Sequence, residues 1–204
     1  MDQNQQDMNY EYNEELYLQQ NPYAHRQGFG IRLGAWLIDF VIMAIIMVFV
    51  FIFAGPMDFF MDGFDFSDLQ DPEFMVEYME AMRPFTLISL LISLVYSLFE
   101  VFFAASIGKM ILGLQIASQD RTKASMGTLF TRFSIKNINW YFSIIAFMTS
   151  IDVINSVGSL LWVVIVVGFF FVLAEKRQAF HDMIAKTAVF KRDDVLTENV
   201  GNQI

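Results

Sequence analysis

The stretch from Gly30 to Ala54, GIRLGAWLIDFVIMAIIMVFVFIFA, leaves the chain few ways to fold. From Phe40 to Ala54 it has no charged or strongly polar side chain. Counted from Arg32 it runs 23 residues, which at ~1.5 Å per residue reaches across a hydrocarbon core of ~30 Å. The segment reads as a membrane span, about 31–54, closed by Gly55-Pro56. It nevertheless carries Arg32 at its start and Asp39 inside it. A carboxylate there costs roughly 2.5–3.5 kcal/mol on insertion scales, so an intramembrane ionisable group is a functional-site hypothesis by default. Seven residues are about two helical turns, placing both side chains on nearly one face ~10 Å apart along the axis. They do not touch in a straight helix, and each is expected to meet a partner elsewhere in the bundle. Gly34 and Ala35 between them permit close approach of another helix.

Composition agrees with a membrane domain. Charged residues are 17% of the chain, against about 25% in soluble domains, and the deficit is concentrated in long uncharged runs. There is no cysteine, which removes disulfides, thiolate metal sites and cysteine nucleophiles. Residues 55–84 hold eight acidic groups and one basic, whereas residues 106–137 hold five basic and one acidic. By the positive-inside rule the first loop lies outside and the second inside, and Arg26 and Arg32 put the N-terminus in the cytoplasm.

Residues 1–25, rich in Gln, Asn and Glu and lacking a signal-peptide pattern, read as a disordered polar tail. In the acidic outer loop, 55–84, Asp71-Pro72 reads as N-cap and first position of a short amphipathic helix carrying Met75, Val76 and Met79 on one face. Asp62, Asp65 and Asp68 do not fit an EF-hand loop and read as part of an acidic outer surface. The second span is expected over 85–105. Its polar residues, Thr86, Ser89, Ser93, Ser97 and Glu100, form one stripe. That stripe fits either packing of small hydroxyl residues between helices or a polar path ending at Glu100.

Lys109 follows Gly108, but the surrounding residues fail the phosphate-loop pattern. Ser106 to Ile116 read as a short extended segment followed by a turn at 119–122, with Gly108 and Gly113 as structural turn glycines. Ser125 then caps a helix with Met126, Leu129, Phe130 and Phe133 on one face and Arg132 and Lys136 on the other. Within the basic inner segment 106–137 this is an interfacial helix whose cations reach lipid headgroups. Residues 138–174 are too long for one crossing. A turn near Asp152–Ser156 divides them into spans of about 138–152 and 157–174 and keeps the later basic residues inside. Residues 193–204 are a C-terminal tail. His181, beside Asp182, reads as a solvated or headgroup-contacting histidine with a carboxylate neighbour.

The expectation is therefore an all-α multi-pass protein of the inner (cytoplasmic) membrane. It has four transmembrane helices, an interfacial helix between the second and third, and both termini cytoplasmic. YAHRQGFGIRLGAWLIDFVI, FEVFFAASIGKMILGLQI and EKRQAFHDMIAKTAVF, in that order, resemble the three signatures of the RDD family, small membrane proteins named for one arginine and two aspartates. The resemblance covers roughly residues 23–192. It implies an RDD-type membrane domain over 26–192, with Arg32 as the arginine and Asp39 and Asp182 as the aspartates. Where the family often has Thr-Pro before Gly-Lys, this chain has Ser106-Ile107. Transport of an undefined ligand has been proposed for the family, and sodium/proton exchange is linked to some members.

Two functions follow as expectations. In one, the chain transports a monovalent cation or small solute as a homo-oligomer. Asp39 and Glu100 are then the protonatable groups, with Arg32, Lys109, His181 and Asp182 as further ligand- or ion-path candidates. In the other, it is a membrane scaffold or accessory protein whose charges form a structural ion-pair network. The lipid bilayer is the expected partner in both. No cofactor, metal, nucleic acid or enzymatic role is expected: the chain has neither metal-spaced histidines nor a nucleophile elbow.

Overall fold

The computed structural model describes residues 21, 23–57, 61, 65–149 and 151–196. The tail expected over 1–25 falls mostly outside these residues, as do Asp62 and the chain beyond 196.

Most of the described chain is helical, and the first helix, α1 (Phe29–Ala54), matches the expected first span. The second, α2 (Pro72–Phe103), is longer than expected: the outer amphipathic piece and the second span are one 32-residue helix that continues through Pro84. Asp71 caps it as the sequence predicts, its carboxylate accepting from Glu73 N–H, with Pro72 in the first turn. Continuity through Pro84 follows because proline removes one helical hydrogen bond, which long flanking apolar turns outweigh. Just before α2, the carboxylates of Asp65 and Asp68 accept from the backbone of Ser67 and Asp65, so both are used in closing a turn.

A short helix, α3 (Ile107–Ile111), follows, then β1 (Leu114–Ser118), α4 (Met126–Lys136), α5 (Ile138–Thr149), α6 (Asp152–Gly168) with a 3-10 turn over Phe169–Leu173, α7 (Phe180–Ile184) and β2 (Thr187–Lys191). The expectation of an all-α chain is thus corrected by an antiparallel pair, β1 with β2, in the register Leu114 to Lys191 through Ser118 to Thr187. The two strands are only five residues each and lie some seventy residues apart, so neither local pattern announces its partner. Arg26 and Gln27 extend the sheet along the other edge of β2, with Gln27 N–H donating to Val189 C=O at 2.8 Å.

Two further expectations change. Gly108 is not in a turn but inside α3, where it faces α1. Gly113 does sit in a turn, at φ +65° in the left-handed region that suits glycine. In the 138–174 region α5 stops at Thr149 and α6 begins at Asp152, so the expected turn at 152–156 is helical and the chain turns before it, the two helices packing as a hairpin. Gly158 lies against Phe142 there, with no room for a Cβ.

Among the described residues three helical stretches are long and apolar enough to cross a membrane: Phe29–Ala54, Pro72–Phe103 and Ser156–Leu173. The exposed residues within 36–54, 87–103 and 160–173 are apolar, Phe53 being 84% exposed. Such surfaces are stable only against lipid. The buried core sits instead at one end of the bundle, where Ala35, Val101, Ala104, Leu129 and Phe133 pack against Leu114, Ile116 and Val189 of the sheet. The same end buries the charged residues.

Candidate functional site

The sheet end of the bundle holds a chain of ion pairs. Arg32, one turn into α1, is 4% exposed, and Asp182 in α7 is fully buried. Arg32 Nη1 donates to Asp182 Oδ2 at 2.6 Å. Its Nε donates to Gln27 C=O at 3.0 Å and its Nη2 to Arg177 C=O at 2.9 Å. Arg177 adopts a left-handed backbone, φ 47°, which turns the chain here. The other Asp182 oxygen accepts from Arg132 Nε at 2.8 Å. Arg132 reaches back with Nη1 to Glu100 Oε1, also at 2.8 Å. Glu100 then takes Lys109, in direct contact, and Lys136 at 3.0 Å. Four cations thus converge on two carboxylates brought together from α1, α2, α3, α4 and α7.

Burial alone would raise the Asp182 carboxyl, but Arg132 beside it, with His181 and Arg32, outweighs burial and holds it well below the usual carboxylate range. The two carboxylates likewise raise Arg132 against the pull of burial. Lys109 is pushed down to about 8: burial dominates, and Arg132 and Lys136 add to it against the attraction of Glu100.

Asp39 occupies a separate position in α1. Its Oδ1 accepts from Tyr96 Oη at 2.6 Å and Gly108 N–H at 2.7 Å, and its Oδ2 from Ser106 Oγ at 2.6 Å. Among the described residues no ion pair reaches it. Ser106 is the N-cap of α3, its Oγ also accepting from Lys109 N–H. Asp39 therefore ties the N-terminus of α3 onto α1. Gly108 allows it: a Cβ there would collide with Ala35 C=O and stand 2.9 Å from Asp39 Cγ.

His181 is buried, not solvated. Its Nε2 lies 3.1 Å from Arg132 Nη2, which can only donate, so Nε2 accepts and the proton sits on Nδ1. Nδ1 is buried without a partner. Burial, aided by Arg132, pushes the imidazole down to about 3, so His181 is neutral near neutral pH.

All six candidate residues therefore lie in or beside one region. Arg32, Asp182, Glu100, Lys109 and His181 join one network, and Asp39 stands on the adjoining α1–α3 contact. Arg132, Lys136, Tyr96 and Ser106 take part without being singled out by the sequence. Arg132 was assigned to a lipid-reaching face, yet α4 buries Leu129, Arg132 and Phe133 and exposes Met126 and Phe130. A charged side chain on a membrane-associated helix is better placed inward, with carboxylates, while apolar residues face lipid. Tyr96 stands on the Ser89–Ser93–Glu100 stripe and could have been found by asking which hydroxyl lay one turn from Glu100. Ser106 carried a cap signal that the failed phosphate-loop comparison obscured.

A model of the RDD family matches residues 26–186 of the chain. No curated protein and no solved structure matches it.

Proposed function

The chain belongs to the RDD family, and from that premise we propose that it is a multi-pass scaffold or accessory protein of the cytoplasmic membrane. In this reading its charged motif residues lock the inner ends of the spans to a small sheet. One observation carries it: Arg32, Glu100 and Asp182 are each held in ion pairs within the chain, Arg32 by Asp182, Asp182 by Arg132, and Glu100 by Arg132, Lys109 and Lys136. Such groups are poorly free to bind and release a cargo. No catalytic role is proposed.

The same contacts support four crossings with both ends inside. Arg26 bridges to Phe190, Arg32 pairs with Asp182, and β1 pairs with β2, so residues 26–32, 114–118 and 182–191 share one side of the membrane. Residues 32–114 then cross twice, through α1 and α2. Residues 118–182 cross an even number of times, through the α5–α6 hairpin. At twelve residues α5 spans only ~18 Å, so this hairpin would sit where the bilayer is thinned or shielded by neighbouring protein. The acidic loop lies on the opposite side, outside by charge.

A second reading rests on Asp39, which lies inside a span and is met only by neutral donors. A membrane carboxylate without a protein cation suits coupling to a proton or a monovalent cation. Here a homo-oligomer transports a cation or small solute, with sodium/proton exchange as one form. Proteoliposomes containing a pH-sensitive dye, under Na⁺ or K⁺ gradients, separate the readings. The scaffold reading expects no flux from wild type or Asp39→Asn. Cation-driven proton flux in wild type, lost in an Asp39→Asn protein that is still folded at the assay temperature, would overturn it in favour of exchange.

A further inference from the structure

The ion-pair network is not electrically balanced. Glu100 and Asp182 face Arg32, Lys109, Arg132 and Lys136, and counting Asp39 still leaves positive charge in excess. Arg26 and Arg177 stand beside the network, bonded through the carbonyls of Lys176, Ala24 and Arg26. Among the described residues no ion pair reaches either of them. Unmatched positive charge in a poorly solvated region is costly unless an anion approaches it.

The excess comes to the surface at Lys136, the last residue of α4. Its side chain is 46% exposed while its Nζ holds Glu100 Oε2 at 3.0 Å. Lys109 and Arg132 lie behind it on the same carboxylate, nearly enclosed. The surrounding surface has the character of a headgroup layer. Tyr141 of α5, the helix that starts two residues after Lys136, is exposed and places its hydroxyl 3.0 Å from Ser134 Oγ, and Ile144 and Ile145 follow it exposed on the same helix. A soluble phosphate would gain nothing from the apolar surface of α5, whereas a lipid held at Lys136 would lay its chains along it.

We infer that Lys136 is the contact for the phosphate of an anionic phospholipid. Glu100 orients its ammonium, and Lys109 and Arg132 supply fixed positive charge behind it. This does not depend on whether Asp39 couples to transport. The test is native mass spectrometry of the full chain in detergent, with phosphatidylglycerol and phosphatidylcholine offered equally. Wild type is expected to retain phosphatidylglycerol preferentially. Lys136→Gln should cut that preference by about fivefold, one surface cation's share of lipid attraction. Lys136→Arg should keep it, and so should Lys123→Gln, which removes the same charge from an exposed turn.

Equal losses from Lys136→Gln and Lys123→Gln would reduce the effect to diffuse attraction and overturn the site. Equal retention of the two lipids by wild type would do the same. Millimolar inorganic phosphate that stabilises lipid-free wild type but not Lys136→Gln would identify a soluble ligand and overturn the lipid assignment. A photoactivatable phosphatidylglycerol on wild type makes the test without substitution. Labelling confined to 134–141 supports the site, and labelling spread over the basic positions overturns it.

Discussion

Asp182→Asn tests what the network contributes, because at constant size it removes the charge and one of the two acceptors that the arginines share. The amide is the size of the carboxylate, and its oxygen can still accept from Ala179 N–H, now bonded at 3.2 Å. What disappears is the negative charge shared by Arg32 at 2.6 Å and Arg132 at 2.8 Å, both nearly enclosed. Arg132 keeps Glu100. Arg32 keeps the amide oxygen and the carbonyls of Gln27 and Arg177 but has no counter-charge, and the new amide NH2 faces Arg132 Nε, donor against donor. Removing one member of a buried pair costs ~3–5 kcal/mol, a large share of the ~5–15 kcal/mol that holds a typical domain.

Lys136→Gln cuts a half-exposed arm of the same network and should cost only ~0–1 kcal/mol. Reversible unfolding in mixed detergent micelles, followed by tryptophan fluorescence, measures both. Because the folded carboxyl of Asp182 is held below the unfolded value of ~3.9, its contribution is complete above that pH and is lost as pH falls through the folded value. The gap between wild type and Asp182→Asn should therefore close in strong acid. An Asp182→Asn protein within about 1 kcal/mol of wild type at pH 7, or a double-mutant cycle with Arg32→Gln showing no coupling where ~1–3 kcal/mol is expected, would refute the reasoning.

Asp39→Asn keeps an acceptor for Tyr96 and Gly108 but turns charge-assisted bonds into neutral ones, so a loss of ~1–2 kcal/mol is expected in the same unfolding assay. Gly108→Ala places a Cβ against Ala35 C=O and Asp39 and should cost ~1–3 kcal/mol, while abolishing protection of Gly108 N–H from hydrogen exchange. His181 is pushed down to about 3, so as pH falls below ~6.5 the unfolded chain takes the proton first and stability declines towards pH 3. At pH 5 that amounts to ~2 kcal/mol, and His181→Gln should flatten the stability profile between pH 7 and 5 by this amount.

How much of this could be read from sequence differs by the range of the interaction. Local rules worked: the apolar run of α1, the caps at Asp71 and Ser125 and the turn at Gly113 each depend on a few neighbours, and each stands where the residues placed it. Positive-inside counting puts Arg32 and the 106–137 segment on one side, and the structure gathers Arg32, β1 and β2 at one end of the bundle through the Arg32–Asp182 pair and the Arg26–Phe190 bridge. Long-range partners were legible only as a demand. An arginine and an aspartate two turns apart had to be satisfied elsewhere, but the spacing could not say by what. Arg132 illustrates the limit. On a helical wheel it falls opposite Phe130, which for a soluble helix would mean an outward charge. In lipid the preference inverts once carboxylates wait in the interior, and Glu100 and Asp182 come from α2 and α7, distant in sequence. A helix beside a membrane therefore cannot be oriented from its own hydrophobicity. It can be oriented by asking whether the buried acids of other segments have enough cations: here Glu100 and Asp182 required more than Arg32, and Arg132 was the cation on a neighbouring helix able to reach both.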